Sequence, residues 1–283
     1  MNWQQYTAIS VLTLSMSIVL QRVLIKKDKV NPAAYAVVFQ GLVGLVLFVA
    51  VLFHGFNLTG IEKVWFPAVT STLLYGAGHI IYAKALQHVE ASVFAILFAT
   101  QAVWIMLAGI ILLHEQLTGM QLVGSVLIFA SITLLVKRPS LHRFDKGVLL
   151  ALLAGLVFGL AITGWSYVGR HIDGLSWAAT SFVGTSLAAL LFAPRALSYA
   201  RPLLQGSAFI RLAVLSLFYA VGCAAMLYAY KLGSLAIVSP LRQTGIILTV
   251  LIAFVFLKAE RTNVWKKLLA ALVCCAGVML IVA

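Results

Sequence analysis

The sequence predicts an all-α integral membrane protein, with ten transmembrane helices arranged as two inverted five-helix repeats. Three observations lead there. Of the 283 residues, 63% are hydrophobic and only 10% are charged, against about 45–50% and about 25% in a soluble domain. The apolar residues gather into ten runs, each close to the ~20 residues a helix needs to cross the hydrocarbon core. The 20 Lys and Arg outnumber the 7 Asp and Glu, and they cluster between the runs instead of lining one face, as in cytoplasmic loops. So few charges cannot cover a water-facing surface, which argues against a soluble enzyme, a disordered chain and a nucleic-acid binder.

The first run, 4–25, carries Ser10, Thr13, Ser17 and Gln21 at helical spacing. It follows Met1-Asn2-Trp3-Gln4-Gln5 without a basic leader and is too long for a cleaved signal, so it reads as a helix. The second run is 32–53. The third, 65–86, places Tyr75, His79 and Tyr82 at i, i+4 and i+7, on one helical face. The fourth, 92–113, has Gln101 and Trp104 at i and i+3, and the fifth is 118–136. A linker at 137–146 holds Pro139. The sixth run, 147–169, has Gly155 and Gly159, then Thr163, Trp165 and Ser166; the seventh is 175–193. Pro194 and Pro202 mark the next connector, 194–208. The eighth run, 209–231, carries a stripe of Tyr219, Cys223, Met226 and Tyr230. The ninth, 235–257, contains Arg242, and the tenth is 263–282. Lipid offers the backbone no partners, so each run must be helical, and the period-2 alternation of a barrel is absent. Cys223, Cys274 and Cys275 all lie in apolar runs without metal spacing and read as small packing residues.

With ten helices, alternate loops fall on opposite faces. One face then holds sixteen Lys and Arg and the other three: Lys63, Arg170 and Lys231. That asymmetry places the five basic loops in the cytoplasm and both termini outside a cell (inner) membrane.

The two halves resemble each other. Tyr82-Ala83, Leu86, Ala91-Ser92-Val93 and Leu113-His114-Glu115 in the first answer to Tyr228-Ala229, Leu232, Ala236-Ile237-Val238 and Lys258-Ala259-Glu260 in the second. Ala91 to Glu115 spans 24 positions, as does Ala236 to Glu260. Residues 1–136 form the first five-helix repeat, 137–146 a cytoplasmic linker and 147–283 the second repeat. Five is odd, so the second copy crosses in the opposite sense, the inverted architecture common among secondary transporters.

On these residues and on His114-Glu115-Gln116-Leu117-Thr118, the sequence resembles the ten-helix drug/metabolite transporter superfamily, specifically its EamA-type members. Many members carry a proline midway along helices four and nine. This chain reads Thr100-Gln101-Ala102 and Gly245-Ile246-Ile247 there, with Pro240 set earlier. The resemblance implies that helices 1, 3, 4, 6, 8 and 9 line a central cavity. It also implies transport, usually export, of amino acids, related metabolites or drugs.

Arg242 is the most informative residue. An arginine at membrane depth costs about 2.5–3.5 kcal/mol on insertion scales. It reads either as a clamp on a carboxylate or phosphate of the cargo, or as a side chain snorkelling to the headgroups or held at the Pro240 break. His79 and Tyr82 are candidates for cargo contact or a proton relay, with interhelical bonding as the alternative. Gln101, Trp104 and Tyr228 complete the candidate pocket, supplying hydrogen bonds and an aromatic wall. Glu115 and Glu260 read as N-terminal caps of the helices that follow. The Arg170-His171-Ile172-Asp173 stretch reads as solvated loop.

The expected function is a secondary transporter that moves a small organic solute by alternating access, with membrane lipids around it and protons as a candidate coupling ion. No enzyme activity, cofactor, metal or nucleic-acid partner is expected. The alternatives are a non-catalytic scaffold or channel subunit, and an intramembrane lipid-modifying enzyme.

Overall fold

The computed structural model describes residues 2–27, 30–113, 118–135, 145–232, 238, 241–242, 244–257 and 262–282. Among them are eleven α-helices and no strand. In chain order they are α1 (Trp3–Lys27), α2 (Pro32–His54), α3 (Trp65–His88), α4 (Ala91–Phe98), α5 (Gln101–Leu113), α6 (Gly119–Leu135), α7 (Lys146–His171), α8 (Gly174–Phe192), α9 (Gly206–Leu232), α10 (Gly245–Phe256) and α11 (Val264–Val282). Val238, Leu241 and Arg242 are also helical. Short 3-10 helices occupy Ile61–Lys63, Pro194–Tyr199 and Arg201–Leu204, so the connector expected at 194–208 is folded.

Among the described residues, seven segments are long and apolar enough to cross a membrane: Trp3–Ile25, Pro32–His54, Ala91–Ala108, Lys146–His171, Gly174–Phe192, Gly206–Ala229 and Val264–Val282. The sequence reading expects ten. The helix α3 has the length, 24 residues, but Thr70, Ser71, Thr72, His79, Lys84 and Gln87 dilute its apolar content. The apolar helices α6 and α10 have 17 and 12 residues. The run expected as one helix over 92–113 is divided, with α4 and α5 meeting at a turn over Ala99 and Thr100.

Side chains define several helix starts. Asn31 accepts from the amides of Ala33 and Ala34 at 3.0 and 3.1 Å, ahead of Pro32 at the first helical position. Asn2 with Gln5, and Thr118 with Gln121, bond reciprocally as capping boxes of α1 and α6. Glu115 and Glu260, expected as caps, lie outside the described residues. Asp173, expected as solvated loop, instead caps α8: its carboxylate accepts from the Ser176 amide at 2.8 Å and lies 3.7 Å from His54 Nε2. Partial burial pushes its pKa up. The hydrogen bonds from Ser176 and the neighbouring His54 and Lys231 outweigh that and hold the carboxyl below its usual range.

The helices pair across the chain, α1 on α9, α3 on α7, α2 on α8 and α6 on α11. Between α6 and α11 the backbones touch. A Cβ on Gly124 would stand 2.5 Å from the Gly277 carbonyl, and one on Gly277 would stand 2.6 Å from the Gly124 carbonyl. Only glycine permits that approach, a common device where lipid supplies no hydrophobic drive between helices. Outward faces expose Leu52, Phe53, Leu122, Val126, Leu191 and Leu272. Such a large apolar surface suits lipid contact and not water.

At the end carrying the basic loops, polar side chains tie the helices together. Arg22 is buried and donates from Nη1 to the Leu86 carbonyl. Gln87 donates to the Val30 carbonyl at 2.8 Å, and Lys267 of α11 pairs with Glu90 at the start of α4. Leu24, Ile25, Val89 and Phe94 are buried around them.

Candidate solute site

The face predicted on α3 exists, and it meets α7 and α4. The buried His79 ring lies 4.7 Å from Phe158 of α7, 5.9 Å from Tyr75 and 6.3 Å from Tyr82. Tyr82 stands edge-on to Phe94 at 4.7 Å and to Phe98 at 5.5 Å, and Phe98 meets Phe158 at 5.0 Å. These six rings, drawn from three elements, pack ring against ring as one aromatic box. The Nδ1–H of His79 donates to the Tyr75 carbonyl at 2.8 Å, which leaves Nε2 as the acceptor. That bond lies within α3; the sequence reading had an interhelical partner as its alternative.

Beside the box stands Arg242. Its guanidinium lies within electrostatic reach of Tyr75, Tyr219 and Cys223. Its Nε is buried without a hydrogen-bond partner. That Nε therefore sits inside the protein, near side chains of α3 and α9. Tyr219 extends the aromatic lining to Phe39 of α2 at 5.2 Å and Phe182 of α8 at 6.0 Å. Pro240, expected as a break beside Arg242, lies outside the described residues.

Helix breaks flank this region. At the first, the Thr100 amide and hydroxyl both bond the Leu97 carbonyl, at 3.3 and 2.8 Å. At the second, Thr244 bonds the Leu241 carbonyl in the same two ways, at 3.1 and 2.6 Å. Both sites read Leu-x-x-Thr, with Phe98 and Arg242 at the same position inside the motif. A threonine hydroxyl that captures the i−3 carbonyl competes with the helical ladder, so the turns form without a proline between Leu and Thr. The carbonyl of Gly245, at the second break, accepts from Ser15 of α1 at 3.0 Å.

Gln101 and Trp104 are both partly buried just beyond the first break. They pack on α7, where a Cβ on Gly159 would stand 2.6 Å from Trp104 Cβ and 3.0 Å from the Gln101 carbonyl. Gly155 faces Thr100 in the same way. The predicted glycine pair is therefore the bed on which the break rests. Tyr228 stacks on Tyr6 of α1 at 5.5 Å, away from the box. On α1, Ser10 donates to the Gly222 carbonyl at 2.8 Å, so this part of the polar stripe holds α1 against α9.

Sequence reasoning missed Phe94, Phe98 and Phe158 as site residues, and it noted Tyr219 only within a stripe. An aromatic in an apolar run carries no signal of its own; only spacing relative to His79 on other helices singles it out. Among the described residues no group of three or more His, Cys, Asp or Glu comes together.

A helical body whose segments are long and apolar enough to cross a membrane, with polar and aromatic side chains packed inside it, is the form of a multi-pass membrane protein. The profile of the EamA-like transporter family matches residues 1–137 and 145–283, and the chain belongs to that family. It is accordingly a multi-pass membrane protein of a family that transports small solutes. No curated protein matches. Among solved structures, 23 chains match. One, described as "Crystal structure of protein", is 16% identical with a TM-score of 0.67, covering 98% of this chain and 95% of that one. At that identity the likeness speaks to the fold alone.

Proposed function

We propose that this chain is a secondary transporter that exports a small organic solute bearing a carboxylate or similar anionic group, an amino acid or related metabolite, by alternating access. Its body is ten spanning helices in two inverted five-helix halves, 1–136 and 147–283, in the cell membrane, with basic loops cytoplasmic and both termini outside. Support for the inverted halves comes from the helix pairing. Exchanging first-half for second-half helices turns the α1–α9 contact into the α7–α3 contact and maps the α2–α8 and α6–α11 contacts onto themselves.

One observation carries the reading of the cargo. Arg242 is a guanidinium with a buried Nε that lacks a partner, set between Tyr75, Tyr219 and Cys223. A buried cationic donor left unsatisfied is costly, and an anionic cargo group satisfies it with charge-assisted hydrogen bonds. The aromatic box of His79, Tyr82 and Phe158 accommodates the apolar part, and Gln101 and Trp104 border it. His79 is the candidate proton carrier.

The test is transport in sealed proteoliposomes. Arg242→Ala lowers flux of carboxylate-bearing solutes tenfold or more, at about 1.4 kcal/mol per decade, while organic cations are unaffected. Equal flux in the variant and the wild type makes Arg242 a structural anchor. No movement of any amino acid, nucleobase, organic cation or sugar phosphate by the wild type removes the transport reading.

A further inference from the structure

A recess opens at the basic-loop end, away from the aromatic box. It measures about 360 Å³, and its lining includes Asn31 and Ala33 at the start of α2 and Pro194, Arg195, Ala196 and Tyr199 from the first 3-10 helix after α8. The volume lies at the low end of the ~300–1,000 Å³ typical of small-molecule sites. Its walls are mainly apolar, and Arg195 is the one charged residue in its lining.

The surroundings specify what fits. Arg195 and Arg201 are exposed, and neither pairs with a carboxylate among the described residues. Between and beside them, Phe192, Leu197, Tyr199 and Leu204 are each half or more exposed. Exposed apolar groups alternating with arginines, on short 3-10 helices at the end of a spanning helix, describe a segment lying in the headgroup layer. There the apolar side chains dip toward the acyl chains and the cations face phosphates. The connector between α2 and α3, at the opposite end, bears Glu62 beside Lys63.

We propose that this recess binds an anionic phospholipid, with its phosphate and headgroup on Arg195 and Arg201 and the top of an acyl chain against Ala33, Pro194 and Ala196. The occupant is a lipid and not a soluble anion because the apolar wall offers nothing to a free phosphate. A zwitterionic phospholipid fills the same volume, but its own cation offsets the attraction.

The test uses the full chain in mild detergent, with phosphatidylglycerol and phosphatidylcholine of identical acyl chains added in equal amounts, and counts bound lipids by native mass spectrometry. Phosphatidylglycerol is retained preferentially, by about fivefold for each arginine near the phosphate. Arg195→Gln lowers the preference about fivefold, and Arg195→Gln with Arg201→Gln abolishes it. Ala33→Phe fills the recess with both arginines intact and also abolishes it. Arg170→Gln, at the opposite end of the molecule, leaves it unchanged. Equal retention of the two lipids by the wild type, or an undiminished preference in Arg195→Gln or Ala33→Phe, overturns the proposal. So does stabilisation by soluble glycerol 3-phosphate to the same extent as by the lipid, which makes the recess a soluble-anion site. None of these outcomes depends on whether the protein transports anything.

Discussion

Three side chains show how unevenly residues disclose their roles. Arg242 is legible in the sequence because a charge inside an apolar run has no cheap resting place. Phe158 is invisible there, yet it touches His79, Tyr82 and Phe98. Tyr228 has the right residue type and repeat position but spends its ring on Tyr6. Cys223 lies between these extremes. It is only partly buried, whereas Cys274 and Cys275 are buried. A small maleimide therefore modifies Cys223 first, and a transported solute protects it; peptide mass mapping checks both, and faster labelling of Cys274 contradicts the assigned lining. Asp173 yields a second prediction. Asp173→Ala removes a cap, costing about 1 kcal/mol of stability, read as a lower melting temperature in detergent. Its folded pKa is depressed. Its contribution is therefore present above the unfolded value of about 3.9 and is lost as pH falls through the lower folded value. Wild type and variant then converge in strong acid and differ at neutral pH.

Among the elements, the break between α4 and α5 was not legible. The apolar run over 92–113 reads as one helix because hydropathy is blind to a missing hydrogen bond, and no proline stands at the break. What divides it is local: Thr100 ties its hydroxyl to the Leu97 carbonyl, and Gly155 leaves room for that hydroxyl, since a Cβ there would stand 2.5 Å from it. The Gly155 and Gly159 pair was visible, but its partner was not. Gly159→Leu forces α7 away from Trp104 and Gln101, an overpacking of about 1–3 kcal/mol. We expect a lower melting temperature and a loss of flux that Gly169→Ala does not share, because a Cβ at Gly169 meets only Trp177 at an ordinary 3.6 Å. An unchanged melting temperature for Gly159→Leu contradicts the close approach. The start of α6 tells a similar story: the expected carboxylate cap at Glu115 lies outside the described residues, and Thr118 with Gln121 supplies the reciprocal bonds.

For the whole molecule, an ion pair joins the two halves of the chain. Lys267 is 8% exposed and its partner Glu90 31%, so this ion pair between α11 and the start of α4 is largely withdrawn from water. Lys267→Met leaves Glu90 without that partner and costs about 1–3 kcal/mol, below the ~3–5 kcal/mol of a fully buried pair. Proteolysis of the basic loops then quickens, measured against Arg170→Met as a control. Orientation is a separate expectation: a C-terminal reporter active only in the cytoplasm stays silent, and a bright signal reverses the sidedness while leaving the fold untouched.

Composition and run length alone established that the chain lives in lipid, because a backbone without water must satisfy itself in helices and a surface without charges cannot face a solvent. The repeated spacing of Ala91–Glu115 and Ala236–Glu260 pointed to paired halves. Which side chains meet is another matter. The aromatic box, the surroundings of Arg242 and the recess at Arg195 each join residues from separate elements. Their contacts depend on interhelical distance and rotation, which close glycine packing sets and which no single run encodes.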